Sequence, residues 1–307
     1  MTRAPMLLTI LDRIFQGKSL VAVHSQKGWL LRRVVRPDAR WGADPLSYDP
    51  GVAERTVRWL GLLFGKRRWF RLDPRGFERM PPSPALLVSN HSGGTTVLDA
   101  WGLFMCWYRH FGFERPLHPV AHELLLSTEA TGRFFATRGV LHAQPEVALA
   151  ALLEHRRDVL VMPGGDLDTW RPFKDRYRVQ FAGRTGYARL AIKAGVPIVP
   201  VAHAGAHHTL VVLTDGRKIA EKLRIQKIAR ARIWPIHLAL PWGLALGPWP
   251  HLPLPVTLRY RVGKPIWPKG AKGGARKGEP RDDEVRSLDL RVRSAMQGLL
   301  DQLADGN

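Results

Sequence analysis

The chain has 307 residues, 45% of them hydrophobic, and a formal net charge of +21. Such a length supports one large domain or two small ones with a sizeable core. The basicity points to an anionic partner: nucleic acid, an acidic membrane surface or a phosphorylated ligand. A single cysteine, Cys106 in an apolar run, excludes an internal disulfide and a Cys-rich zinc site, and points to a reducing compartment.

From the N-terminus, Met6–Leu11 is apolar but short, meets Asp12 and lacks a small-residue cleavage site, so it reads as neither a signal peptide nor a span. No stretch approaches the roughly 20 apolar residues a membrane-crossing helix needs. The expectation is a soluble or peripheral protein of the cytoplasm, held to the cytoplasmic membrane face. Residues 1–80 read as a basic, mainly helical, membrane-proximal lead-in. Within it, Asp49-Pro50 predicts a helix start, with Asp49 as N-cap and Pro50 in the first turn. Val57, Leu60, Leu63 and Phe64 follow at helical spacing, widened by Trp59 and Leu62, and the helix runs into Lys66-Arg67-Arg68-Trp69-Phe70-Arg71. That pattern suits a helix in a lipid headgroup layer; a helix packed on its own domain with a solvated basic end fits equally well.

Residues 81–307 alternate short apolar strands with helices. Leu86–Ser89, Val159–Met162 and Ile198–Val201 read as buried strands, each beside Pro or Gly. Ala100–Tyr108 reads as a buried helix, and further helices are predicted at Pro145–Arg157, Thr185–Ala194 (stopped by Gly195) and Asp282–Leu303. The alternation predicts an α/β fold with a central mixed, largely buried sheet flanked by helices. Val256–Val262 alternates apolar and polar residues and reads as a half-exposed strand, antiparallel at an edge. The Trp-, Pro- and Leu-rich residues 234–255 read as an ordered loop in preference to a surface dipping into lipid. Lys264–Arg281 reads as a basic, Gly-rich linker.

Three features carry candidate chemistry. First, the apolar run at 86–88 delivers Asn90-His91 to a Ser92-Gly93-Gly94 turn, with Asp99 eight positions after the histidine. A histidine at a strand end can serve as general base, and a carboxylate can hold its tautomer and stabilise the imidazolium. On one straight helix the two would lie ~80° apart in azimuth and ~12 Å along the axis, too far to touch. If they pair, Gly93-Gly94 must loop out and the helix must start near Thr96, with Asp99 in its first turn. Helix capping by Asn90 and His91, with Asp99 a solvated acid, stays open at this point. Second, Pro163-Gly164-Gly165-Asp166 ends a strand, and consecutive glycines there let backbone N–H groups approach an anion or oxyanion. An ordinary turn is the competing reading. Third, Arg138, Arg171 and Arg184 stand beside turns, and a guanidinium grips phosphate bidentately, though any one arginine is more often a surface residue. The groups His118/His122 and His203/His207/His208 do not make a metal site: Pro119 breaks the helical spacing of the first and no carboxylate set is obvious. No metal is expected.

Taken in order, these features resemble the glycerolipid (lysophospholipid, or PlsC-like) acyltransferase superfamily. Asn90-His91 and Asp99 match its first block, Arg138-Gly139 after Gly132-Arg133-Phe134 its second, Val161-Met162-Pro163-Gly164-Gly165 its third, and Val196–Pro200 its fourth. The resemblance covers roughly residues 60–300 and departs twice. Seven residues separate His91 from Asp99 where the superfamily has four, and Gly164 stands where it commonly has Glu. The Pro-Gly-Gly style, with Arg184-Thr185-Gly186 beyond, looks more like the diacylglycerol and phytyl-ester synthase branch. The resemblance implies an acyltransferase domain over residues 81–307. The enzyme it implies is membrane-associated and moves a fatty acyl group from acyl-CoA or acyl carrier protein to a lipid or glycerolipid hydroxyl. His91 and Asp99 would be catalytic, and Arg138, Gly164, Gly165 and Arg184 would bind substrate. No cofactor is implied beyond the co-substrate thioester. An anionic membrane surface is the expected partner and nucleic acid is disfavoured; oligomeric state is not encoded legibly. Two alternatives are a 1-acylglycerol-3-phosphate acyltransferase and a non-enzymatic protein binding anionic lipid or nucleic acid.

Overall fold

A computed structural model describes residues 41–222, 233–271 and 274–305. The Met6–Leu11 stretch and the lead-in as far as residue 40 lie outside them. Pairing of short apolar runs builds a seven-stranded sheet in the order β1-β10-β6-β2-β5-β3-β4. The strands are β1 (Phe70–Arg75), β2 (Leu86–Ser89), β3 (Leu117–Ala121), β4 (Leu141–His142), β5 (Asp158–Val161), β6 (Ile198–Ala204) and β10 (Val256–Val262). Strands β6, β2, β5, β3 and β4 are mutually parallel. Strand β10 runs antiparallel to β6, and β1 lies parallel to β10 at the edge. The result is the expected mixed α/β sheet flanked by helices.

Period-two alternation sorts the side chains into two layers. Leu86 and Val88 of β2, with Val159, Ile198 and Ala202, face α4 (Pro145–Leu153), α6 (Gly186–Ala194) and α8 (Asp282–Asp305). Leu87, Leu160, Val199 and Val201 face the opposite side, against α1 (Pro50–Leu60) and α2 (Leu98–Phe111). Helix α8 buries Leu288, Val292, Met296, Leu299 and Leu303 as one stripe, each side chain contributing about 1.5–3 kcal/mol of burial. Helix α1 starts as the sequence predicts, since the Asp49 carboxylate accepts the Val52 N–H and Pro50 sits in the first turn. It ends at Leu60 and packs Val57 and Leu60 on its own domain. Trp59, Leu62 and Leu63 are left exposed.

Two expectations are corrected. Strand β10 alternates buried and half-buried residues as predicted, but it is not an edge: Phe70–Arg75, on the lead-in side of residue 81, covers it. Residues 234–255 are not simply a loop. They contain β8 (Ile236–Ala239) and β9 (Gly243–Leu246), which join β7 (Val211–Thr214) in a three-stranded antiparallel sheet. Among the described residues no helix is long and apolar enough to cross a membrane.

Candidate active site

Strands β2, β5 and β6 are parallel neighbours, so the segments leaving their C-terminal ends converge on one side, where open α/β sheets place their sites. Strand β2 ends where a side chain replaces the ladder. The Asn90 amide donates to the His203 carbonyl at 3.0 Å, and its carbonyl accepts the His203 N–H at 2.9 Å. Asn90 therefore acts as a peptide group turned sideways, holding β6 in register while the main chain leaves the sheet at His91. It is fully buried, which removes competing water from both bonds.

The seven-residue spacer is folded by its glycines. Gly93 has φ +96° and Gly94 φ +61°, a 3-10 turn spans Gly94–Thr96, and Val97 takes φ +42° before α2 begins at Leu98. The left-handed region is open to glycine and costly for β-branched Val97. Asp99 thus lies in the first turn of α2, and its Oδ2 sits 2.6 Å from His91 Nδ1. The same oxygen accepts the Ser92 N–H at 3.0 Å, and Tyr260 Oη donates to the Asp99 carbonyl at 2.8 Å. Of the two readings left open, the structure has the pair and not the solvated acid: Asp99 is 1% exposed.

The electrostatics follow from this burial. Desolvation works against a charged His91, but the Asp99 charge and hydrogen bond outweigh it and hold the ring's pKa above its ordinary value. Asp99 is burdened by desolvation and still drawn below the usual carboxylate range by His91. His203 Nε2 lies 3.5 Å from Asp99 Oδ2 and 2.6 Å from Ser92 Oγ. Burial drives its pKa down to about 4, so His203 stays neutral near pH 7 and leaves His91 as the cation partner of Asp99. Neutral His91 donates Nδ1–H to Asp99. Its Nε2 has no protein partner among the described residues and carries a lone pair, while the side chain keeps 15% exposure. That nitrogen can accept a proton from a bound ligand.

A second carboxylate underlies the first. Asp168, fully buried in α5 (Gly165–Thr169), accepts the His91 main-chain N–H at 2.6 Å and lies 3.3 Å from Arg171 Nη2. Burial raises its pKa to about 6 despite the Arg171 charge. Arg171 is not a phosphate grip: its guanidinium is buried against Asp168, the Arg178 carbonyl and His207 Nε2. Asp168 also explains why position 164 has no side chain. A Cβ on Gly164 would stand 2.2 Å from Asp168 Cβ and 2.2 Å from the Gln180 carbonyl oxygen.

The remaining sequence-predicted residues bond to other parts of the chain than His91 and Asp99. In the Gly164-Gly165 turn the Gly165 N–H donates to the Met162 carbonyl at 3.1 Å. Arg184 braces that turn through the Pro163 carbonyl at 2.9 Å and Asp166 at 3.3 Å. Arg138 donates to the Phe134 carbonyl at 2.6 Å and lies over the Phe134 ring. Phe134 meets Trp101, two residues beyond Asp99, so Arg138 borders α2 without touching the pair. Sequence reasoning missed Asp168 and the Ser92–His203 contact. The one available signal for Asp168 is its position one helical turn after Gly164, where a carboxylate is missing.

Residues 71–204 match a family model described as Acyltransferase. The chain is 29% identical over 246 residues to an uncharacterized protein of Mycobacterium tuberculosis, covering 80% of this chain and 64% of that one. It thus spans somewhat under two thirds of the length of that relative. It is 26% identical over 240 residues to a Gallus gallus protein named "DGAT1/2-independent enzyme synthesizing storage lipids", covering 76% and 60% of the two chains. The crystal structure of the 1-acyl-sn-glycerophosphate acyltransferase PlsC from Thermotoga maritima aligns over 81% of this chain and 77% of that one, at 18% identity and a TM-score of 0.42. The blocks at His91, Arg138, Pro163 and Val196 all lie inside residues 71–204, the segment that matches the Acyltransferase family model.

Proposed function

We propose that this protein is a membrane-associated O-acyltransferase in which His91 is the general base. The donor is a fatty acyl thioester, acyl-CoA or acyl carrier protein, and the acceptor is a lipid hydroxyl. His91 Nε2 takes the hydroxyl proton as the oxygen attacks the thioester carbonyl. The tetrahedral intermediate collapses, expelling thiolate, which recovers the proton from the imidazolium. An ester and a free thiol result, with no acyl-enzyme. Asp99 fixes the tautomer and balances the transient cation. General-base assistance of this kind contributes ~10²–10⁴-fold. The observation that carries the reading is the 2.6 Å His91–Asp99 contact with Nε2 unpartnered, at the end of a central strand.

A neutral acceptor alcohol is favoured over a phosphate-bearing one. Arg184 and Arg138, the arginines the resemblance assigns to substrate, each donate to one of the protein's own carbonyls, and the chicken relative's name speaks of storage lipids. The test is incubation with labelled acyl-CoA and a panel of mono- and diacylglycerol, long-chain alcohol and lysophosphatidate acceptors, read by mass spectrometry. Ester formation on neutral alcohols is expected. Transfer confined to lysophosphatidate would overturn the acceptor assignment, and no acyl product from any acceptor with either donor would overturn the function.

A further inference from the structure

We propose that the β7–β8–β9 sheet and the tryptophan loop behind it form the face by which this protein docks on an anionic bilayer, placing the His91 site at the lipid surface. The inference deepens the function proposed above and rests on it only for its purpose, because the surface is argued independently.

From Ile233 to Leu258 the chain carries no charged residue. In the small sheet the usual polarity is inverted. His237 and Ala245, directly opposed, point inward and are buried. The outward face pairs Leu238 with Leu244 and Ile236 with Leu246. Leu244 is 61% exposed and Leu246 56%. An antiparallel sheet normally shows water its polar face; this one shows leucine. Leu240, Trp242, Trp249, Leu252 and Leu254 continue the exposed surface beyond the strands. Contiguous apolar patches of this kind mark protein or membrane contacts. The indoles are prepared for a medium without water: Trp242 Nε1 donates to the Pro250 carbonyl at 2.6 Å and Trp249 Nε1 to the Leu246 carbonyl at 2.8 Å. Neither N–H would lose a partner on entering the interface.

Charge selects the bilayer over a second protein. Trp69 Nε1 donates to the Pro253 carbonyl at 2.9 Å, fixing the exposed Lys66-Arg67-Arg68-Trp69 turn beside the loop. No acidic residue occurs between Trp59 and Leu72, where Trp59, Leu62 and Leu63 are also exposed. Apolar side chains rimmed by cations and tryptophans fit an anionic headgroup layer. The surface also reaches the site. His237 packs on Trp170 with ring centroids 5.0 Å apart, Trp170 lies against Gly94 of the His91–Asp99 spacer, and Thr95 Oγ1 makes a long, 3.5 Å contact to the Trp249 carbonyl.

The test compares wild type, Trp242→Glu/Leu244→Glu and Lys66→Gln/Arg67→Gln/Arg68→Gln in co-sedimentation with phosphatidylglycerol–phosphatidylcholine vesicles. The acidic pair should weaken partitioning more than about tenfold. The glutamine triple should lose binding to the anionic vesicles while binding to pure phosphatidylcholine changes little. Acyl transfer to a short-chain, water-soluble acceptor should be unchanged in both. In wild type, acyl-brominated lipid should quench indole fluorescence, and Trp242→Phe/Trp249→Phe should lose most of that quenching; this measurement does not depend on how well a charged variant folds. Unchanged partitioning of the acidic pair, or absent quenching, overturns the proposal. So does wild type that ignores vesicles and forms a dimer the acidic pair dissolves. Vesicle binding through this face with no acyl transfer to any acceptor would sink the catalytic reading and leave the docking surface standing.

Discussion

Replacing Asp99 by Asn keeps the shape of the residue and removes its charge. The retained side-chain oxygen can still accept Nδ1–H of His91 and N–H of Ser92, now at 2.6 and 3.0 Å from Oδ2, so the fold should survive. What disappears is the anion facing the imidazolium at the moment His91 takes a proton. With charge centres about 4 Å apart and an effective dielectric near 20, that attraction is ~4 kcal/mol, or ~10³-fold in rate. The neighbours replace it only in small part: His203 is neutral above about pH 4, and Asp168, whose charge also favours a protonated His91, hydrogen-bonds only the main-chain N–H. The pH profile should move as well. Asp99 holds the His91 pKa above its ordinary value, and the base works only when neutral, so kcat/KM of wild type should rise with pH on an acid limb above 6.5. In Asp99→Asn that limb should shift to lower pH while the plateau falls ~10³-fold. Steady-state acyl transfer from pH 5 to 9, with circular dichroism to confirm folding, reads both effects. A plateau loss below about tenfold, or an acid limb that stays in place, would refute the pairing as the source of basicity.

Other substitutions probe the supports of the pair. Gly93→Ala puts a Cβ at φ +96°, 3.1 Å from Ala206 Cβ, and should cost about 1–3 kcal/mol in denaturant unfolding together with a drop in kcat; wild-type stability would mean the spacer is not held in this loop. Asp168→Ala leaves Arg171 buried without its carboxylate and the His91 N–H without an acceptor, and should destabilise by about 3–5 kcal/mol; a loss under about 1 kcal/mol would mean water already serves both groups. Gly102→Ala would drive a Cβ to 2.1 Å from Tyr260 Oη and should cost about 1–3 kcal/mol. Adding Tyr260→Phe should recover part of that loss, and a simple sum of the two single effects would exclude the clash.

The strands and helices most readable from the sequence were those whose own periodicity decides them. Leu86–Ser89 is buried on both faces and reads as one apolar run, and α8 carries its buried stripe at helical spacing. The capping of α1 by Asp49-Pro50 was legible for the same local reason. Strand β1 was not: Phe-Arg-Leu-Asp-Pro-Arg is an edge with a proline and two basic residues, and only its partner β10 makes it a strand. The β8–β9 hairpin was hidden because its outward face is apolar, which erases the polar alternation expected of such strands. In the site, Asn90, His91 and Asp99 were visible as a motif, but their contact needed Gly93 and Gly94 in left-handed conformations. Asp168, Arg171 and His203 arrive from the ends of β5 and β6. Nothing in their local spacing foretells that they meet, since parallel pairing across the sheet brings them together. The same contacts undid the reading of Arg171 as a ligand-binding cation, because its guanidinium is buried against Asp168, the Arg178 carbonyl and His207.

His91→Ala in an otherwise intact protein isolates the proton acceptor itself. With melting temperature and vesicle binding at wild-type levels, single-turnover transfer of labelled acyl groups from thioester to lipid alcohol should fall by at least ~10²-fold, the lower bound for losing a general base. Transfer at near wild-type rate by the folded variant would show that His91 takes no proton and that the His91–Asp99 pair is only structural.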